Sequence, residues 1–98
     1  MFVKIHKTYR DVVAVCDSEL IGKRYEQNKF QLDVKESFYR EEIIKEQELI
    51  DLLVDLSKED ATFNIVGEKS IACALKAGII NKHGIGRIAG IPYALILV

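Results

Sequence analysis

The sequence predicts an α+β fold, a single domain over residues 1–98 with about five short strands and two helices in the order β-β-β-α-β-α-β. Three observations predict it. Apolar residues alternate or run continuously in short β-branched stretches at both ends of the chain. Over residues 41–56 and 68–77 they shift to helical spacing. At 49% hydrophobic and 30% charged, with no low-complexity tract, the chain has the composition of an ordered domain with one core.

Phe2 to Lys7 and Val12 to Cys16 predict two strands joined by a turn at Thr8-Tyr9-Arg10-Asp11. On the first, Val3 and Ile5 alternate with Lys4 and His6, one face inward and one outward. The second, V-V-A-V-C, is β-branched and apolar, as suits a central strand covered on both sides. Ser18 to Lys29 is polar and irregular, with a turn expected at Gly22. Phe30 to Val34 alternates again and predicts a third strand.

Ser37 to Arg40 forms a junction into the first helix. From Glu41, apolar residues recur at Ile43, Ile44, Leu49, Ile50, Leu52, Leu53, Val54 and Leu56, with Glu41 and Glu42 in the expected first turn, where the helix dipole favours carboxylates. Ser57-Lys58-Glu59-Asp60 ends that helix, and Ala61 to Val66 predicts a fourth strand running into Gly67. A second helix follows, with Gly67 at its N-cap and Glu68 in its first turn. Ile71 and Leu75 share one face, and Gly78 supplies the left-handed stop. Ile85 to Val98 predicts the last strand, bulged or bent at Gly90 and Pro92.

The expected setting is soluble and cytoplasmic. The N-terminus M-F-V-K-I-H-K has charges interrupting its apolar residues, unlike a signal peptide, and the uncharged run Ile88–Val98 falls well short of the roughly 20 residues of a spanning helix. Cys16 and Cys73 lie singly in apolar runs, which predicts two buried small hydrophobes and no zinc site. Net charge is −1 but unevenly spread: residues 41–66 carry two Lys/Arg against eight Asp/Glu, between two mildly basic blocks. The simplest reading of the acidic block is a solvated helix face.

Several separated segments resemble a known family: V-K-I-H-K-T at Val3–Thr8, V-V-A-V-C-D at Val12–Asp17, E-S-F-Y at Glu36–Tyr39, N-I-V-G at Asn64–Gly67, A-G-I-I at Ala77–Ile80 and I-A-G-I-P at Ile88–Pro92. Together they make nearly the whole chain similar to an archaeal family of small proteins, number 424 among the domains of unknown function. The chain departs from that pattern at Arg40-Glu41, where the family usually has glycines, and at Tyr93, where it often has histidine. The resemblance implies a fold and an archaeal, cytoplasmic setting, and no activity.

No catalytic constellation is legible, and no cofactor is expected. Gly84, Gly86 and Gly90 resemble part of a dinucleotide fingerprint, but a strand follows them where the fingerprint opens a helix. Gly67-Glu68-Lys69-Ser70 lacks the upstream glycine of a phosphate loop and has an extra residue before the lysine. His6 is expected exposed on the first strand and His83 in a helix-to-strand turn.

Two classes of binding remain. Lys4, His6, Lys7, Arg10, Lys23, Arg24, Tyr25 and Arg87 would form a basic patch for RNA or a translation-associated ribonucleoprotein if the sheet brought them together. This is the first expectation, with a domain pI of about 6.1 against it. The alternative is a homodimeric protein-interaction module. Two helices cover one face of a sheet, and an apolar tail with Tyr93, Leu95 and Leu97 as interface candidates needs a cover. An enzyme of unidentified class stands third.

Overall fold

A computed structural model of the chain describes residues 1–97. The elements are β1 (Phe2–His6), β2 (Asp11–Cys16), β3 (Arg24–Gln27), β4 (Phe30–Asp33), α1 (Glu36–Tyr39), β5 (Glu42–Ile43), α2 (Glu46–Ser57), β6 (Ala61–Val66), α3 (Glu68–Ala77), β7 (Gly86–Ile88) and β8 (Ile91–Leu97). Among the described residues no helix is long and apolar enough to cross a membrane.

Six strands form one sheet in the order β5-β1-β2-β6-β8-β7, and β3-β4 forms a separate hairpin. β2 and β6 run parallel, while every other pair is antiparallel. The V-V-A-V-C strand is central, as its two-sided apolarity predicts.

Alternation along each strand divides the core in two. On one face Val3, Val13, Val15, Phe63, Ile65 and Ala94 pack beneath Leu49, Leu53 and Leu56 of α2 and Ile71, Cys73 and Ala74 of α3. Leu49 and Leu53 are fully buried, and burial of each stabilises the fold by roughly 1.5–3 kcal/mol. On the opposite face Phe2, Ala14, Cys16 and Val66 cluster with Leu20, Val34 and Tyr39, and the β3–β4 hairpin adds Tyr25 and Leu32.

α3 begins and ends where glycines predict. Gly67, at φ 111°, is its N-cap, and Gly78 its left-handed C-cap, with Ile79 N–H donating to the Ala74 carbonyl. Both cysteines are free and buried.

The element count exceeds the sequence expectation, and four differences have physical causes. Arg24–Gln27, read as irregular, pairs with Phe30–Asp33 around a two-residue turn in which Asn28 takes φ 57°. Within the junction, Ser37–Tyr39 belong to a one-turn helix that Arg40, in extended conformation, ends. The long helix starts at Glu46, so Glu41 and Glu42 lie outside it; Glu46 and Glu48 fill its first turn. Glu42–Ile43 instead pairs with Phe2 and Val3, an extended conformation that β-branched isoleucine favours.

The fourth difference concerns the last strand, which is a β7–β8 hairpin, not a bulged strand. Ala89 and Gly90 both have positive φ, 51° and 80°, as a tight two-residue turn of matching twist requires. Pro92 sits inside the sheet, and its carbonyl accepts from Gly67 N–H at 2.9 Å. Its missing donor faces the point where β6 gives way to α3, so no ladder bond is lost. Val98, expected to end this strand, lies outside the described residues.

Candidate association surface

The α2–α3 layer covers one face of the sheet, but the opposite face is covered over only part of its area. Strand register arranges this second face in rows. Phe2, Cys16, Val66 and Tyr93 form a row under the hairpin and α1. The next two rows are Lys4–Ala14–Asn64–Leu95 and His6–Val12–Thr62–Leu97.

α1 reaches these outer rows only at the β1 side. Lys4 Nζ donates to the Ser37 carbonyl at 2.8 Å. His6 stacks on Phe38 with ring centroids 4.5 Å apart, and its Nε2 lies 2.8 Å from the Phe38 carbonyl. A carbonyl only accepts, so Nε2 carries the proton. His6, expected exposed, is therefore half-buried and engaged in fastening α1.

At the β6–β8 side nothing covers the rows among the described residues. Leu95 is 66% and Leu97 81% exposed. Their strand neighbours Thr62 and Asn64 are half-buried, so this part of the face bears no ionisable side chain. Tyr93, the third interface candidate, is set back: it is half-buried, joins the core of the covered row, and lies so close over Gly86 that a Cβ there would meet its ring at 2.7 Å.

The same strand leaves an edge open. β7 pairs with β8 only from Ile91 to Tyr93, and the chain before it turns away through the 3-10 turn Lys82–Gly84. Among the described residues, the outer side of β8 beyond Tyr93 has no strand beside it. In an antiparallel ladder alternate residues point both backbone groups to the same side. The bond from Gly67 N–H to the Pro92 carbonyl fixes the phase: Ala94 and Ile96 face β6, whereas Leu95 and Leu97 face outward. Among the described residues neither Leu95 nor Leu97 forms a backbone hydrogen bond on that side.

The basic residues are distributed differently from the expected patch. His6, Lys7 and Arg10 lie at the β1–β2 turn end and Lys4 at the middle of β1 opposite Ala14, whereas Lys23, Arg24 and Tyr25 follow the opposite end of β2. The six residues of β2 separate these groups by roughly 20 Å. Arg87 is on β7, close to the hairpin, whose Gln27 Oε1 accepts from Ala89 N–H at 2.6 Å.

Four of the cations meet carboxylates: Lys7–Asp11 at 3.1 Å, Arg10–Asp60 at 2.7 Å, Arg24–Glu26 at 2.8 Å and Arg87–Glu68 at 3.0 Å. Tyr25 is half-buried against the core, while Lys23 has no ion pair among the described residues.

One further cluster sits at the end of β2. Asp17 is buried, and its carboxylate accepts from Lys69 N–H at 3.0 Å, Ser70 N–H at 2.8 Å and Ser70 Oγ–H at 2.7 Å. It thereby caps α3 from a distant part of the chain, at the helix terminus that suits an anion. Gly67 admits it, since a Cβ there would collide with the Asp17 carboxylate. Beside it, burial and then the Asp17 charge push the Cys16 thiol up to about 12. Burial likewise raises the Cys73 thiol. Burial thus disfavours the thiolate, the reactive form, at both cysteines.

Among the described residues no pocket opens and no three His, Cys, Asp or Glu side chains converge to hold a metal. The feature these residues do build is an uncharged sheet margin with an open backbone edge. Leu95 and Leu97 of this margin are among the interface candidates named from the sequence. The parts missed were Thr62 and Asn64, whose signal is the polar alternation in A-T-F-N-I-V: a strand with one wet face.

The match to known proteins agrees with this architecture. An uncharacterized conserved protein from the archaeon Methanopyrus kandleri has a similar crystal structure, with a TM-score of 0.81 at 23% identity over 98% of this chain and 90% of that one. No curated protein matches the chain. The family described as protein of unknown function DUF424 matches residues 5–98, and with that match spanning all but the first four residues, the chain belongs to the DUF424 family.

Proposed function

We propose that this protein is a non-catalytic association module that docks other polypeptide chain through the outer edge and uncovered face of β8. One observation carries the reading: Leu95 and Leu97 combine unpaired, outward-facing backbone groups with exposed leucine side chains. An edge of this kind is a template for strand addition, in which main-chain bonds supply affinity and alternate side chains supply specificity. Proteins that have no use for such an edge blunt it with charge or proline. β8 does neither over Ala94–Leu97.

RNA or ribonucleoprotein binding, the first expectation from the sequence, has weaker support. Its candidate residues are divided between two ends of the sheet, and four of the cations already have carboxylate partners. Nucleic-acid affinity grows with the number of phosphates neutralised in one place.

The test is the native size of the protein in an extract of its own cells, followed by antibody through gel filtration. The wild-type chain is expected to elute well above its 11.1 kDa monomer mass. A Leu95→Lys/Leu97→Lys variant is expected at the monomer position, with the melting temperature of the dilute wild-type monomer. Elution of both at the monomer position would contradict the proposal.

A further inference from the structure

We infer that the chain on the β8 edge is a second copy of this protein, its β8 running antiparallel about a two-fold axis through Ile96, so that two six-stranded sheets become one continuous sheet. This rests on the association reading above and names its partner.

Backbone geometry restricts the register. In an antiparallel pair, outward-facing residues must stand opposite outward-facing residues. Leu95 and Leu97 are the ones free to do so. Placing Leu95 opposite the partner's Leu97, and Leu97 opposite the partner's Leu95, engages all four residues of the two copies. Placing Leu95 opposite the partner's Leu95 would set Leu97 against the partner's Tyr93, whose outer side already pairs with Gly86. The first register engages both leucines of each copy without meeting β7, and it puts Ile96 on the axis.

Charge selects self-pairing at this edge over the other one. A two-fold axis brings like residues near like, so a self-complementary edge must be free of net charge. The outer residues of β8 and their β6 neighbours are Leu95, Leu97, Thr62 and Asn64, all neutral. β1 also extends beyond its own short neighbour β5, but its open portion carries Lys4 and His6.

Apolar area on the helix side points the same way. Glu68 of α3 meets Arg87 of β7, so that side of α3 faces the β7–β8 margin. Leu75 lies seven residues, about two turns, further on the same side and is 40% exposed. The paired sheet would therefore have apolar side chains near its seam on both faces: leucines of β8 on one, Ile96 and Leu75 on the other.

Cysteine placement tests the register. In a non-hydrogen-bonded antiparallel pair the Cα atoms lie about 4.5 Å apart, inside the roughly 4.4–6.8 Å range of disulfides. Mild oxidation of Ile96→Cys is expected to give a covalent dimer on a non-reducing gel, while the wild type, whose cysteines are buried, gives none. Should Ile96→Cys fail to fold, a mixture of Leu95→Cys and Leu97→Cys proteins serves instead: the mixture is expected to cross-link more than either alone.

Stronger cross-linking of Leu95→Cys with itself would overturn the register. Sedimentation of the purified wild-type protein at 11.1 kDa up to submillimolar concentration, with no cross-linking, would overturn self-pairing. A large species in the cell extract would then leave the association reading intact with a different partner, and a monomer in both assays would end both.

Discussion

Asp17 shows how one side chain joins distant parts of the chain. It follows β2, yet it satisfies the first amides of α3, more than fifty positions later. Asp17→Ala would leave the part-buried Lys69 amide, the buried Ser70 amide and the Ser70 hydroxyl without their acceptor. We expect a loss of about 2–4 kcal/mol in denaturant unfolding. Asp17→Asn should recover only part of it, because its NH₂ group would face a donor where an acceptor is needed. Nothing in C-D-S-E-L foretold this contact. A cap supplied from another strand has no local spacing to read, whereas Gly67 and Gly78 mark the ends of the same helix openly.

The neighbouring titratable groups set the alkaline limit of the fold. The Cys16 thiol is pushed from 9.0 up to about 12, and the Tyr39 phenol from 10.0 up to about 12, both chiefly by burial. The unfolded chain ionises these groups first, so deprotonation favours unfolding. Their contribution to stability is complete below pH 9, falls progressively above it, and is lost once both states are ionised near pH 12. A melting temperature that declines across this interval, and declines less steeply in Tyr39→Phe, is the expected result.

At the scale of elements, helix α2 and strand β8 make opposite predictions for the same residue type. Leu53 of α2 is fully buried over the sheet, and Leu53→Ala should cost about 2–5 kcal/mol in thermal or denaturant unfolding. Leu97 is 81% exposed, and in dilute monomer Leu97→Lys should change stability by no more than about 0.5 kcal/mol.

Periodicity distinguished these elements only in part. Leu49, Leu53 and Leu56 announced an amphipathic helix, but the apolar pair Ile43-Ile44 extended the pattern backwards into what is a short edge strand. The β7–β8 hairpin was hidden because Ala89-Gly90 lacks the usual Asn-Gly or Asp-Gly of its turn type. Ala89 holds a left-handed φ of 51° while Gln27 of the other hairpin accepts its amide. That tertiary contact is not written in the local sequence.

For the whole molecule, the unequal cover of the two sheet faces is the governing feature. Two helices cover one face, and a hairpin with a one-turn helix covers part of the other. The sequence disclosed that an apolar tail required a cover, and that two helices fall short of it. It did not disclose that basic residues from four segments would be divided, since grouping depends on strand order. Among the described residues, open backbone groups, apolar side chains and absence of charge coincide at the β8 margin.

Amide hydrogen exchange at four neighbouring residues of β8 tests that margin most directly. Ala94 and Ile96 bond to β6, so their amides should be protected at every protein concentration. The amides of Leu95 and Leu97 should exchange rapidly in dilute solution and gain protection as concentration rises, in step with dimer formation. Rapid exchange of Leu95 and Leu97 at all concentrations, with Ala94 and Ile96 still protected, would contradict self-pairing of β8.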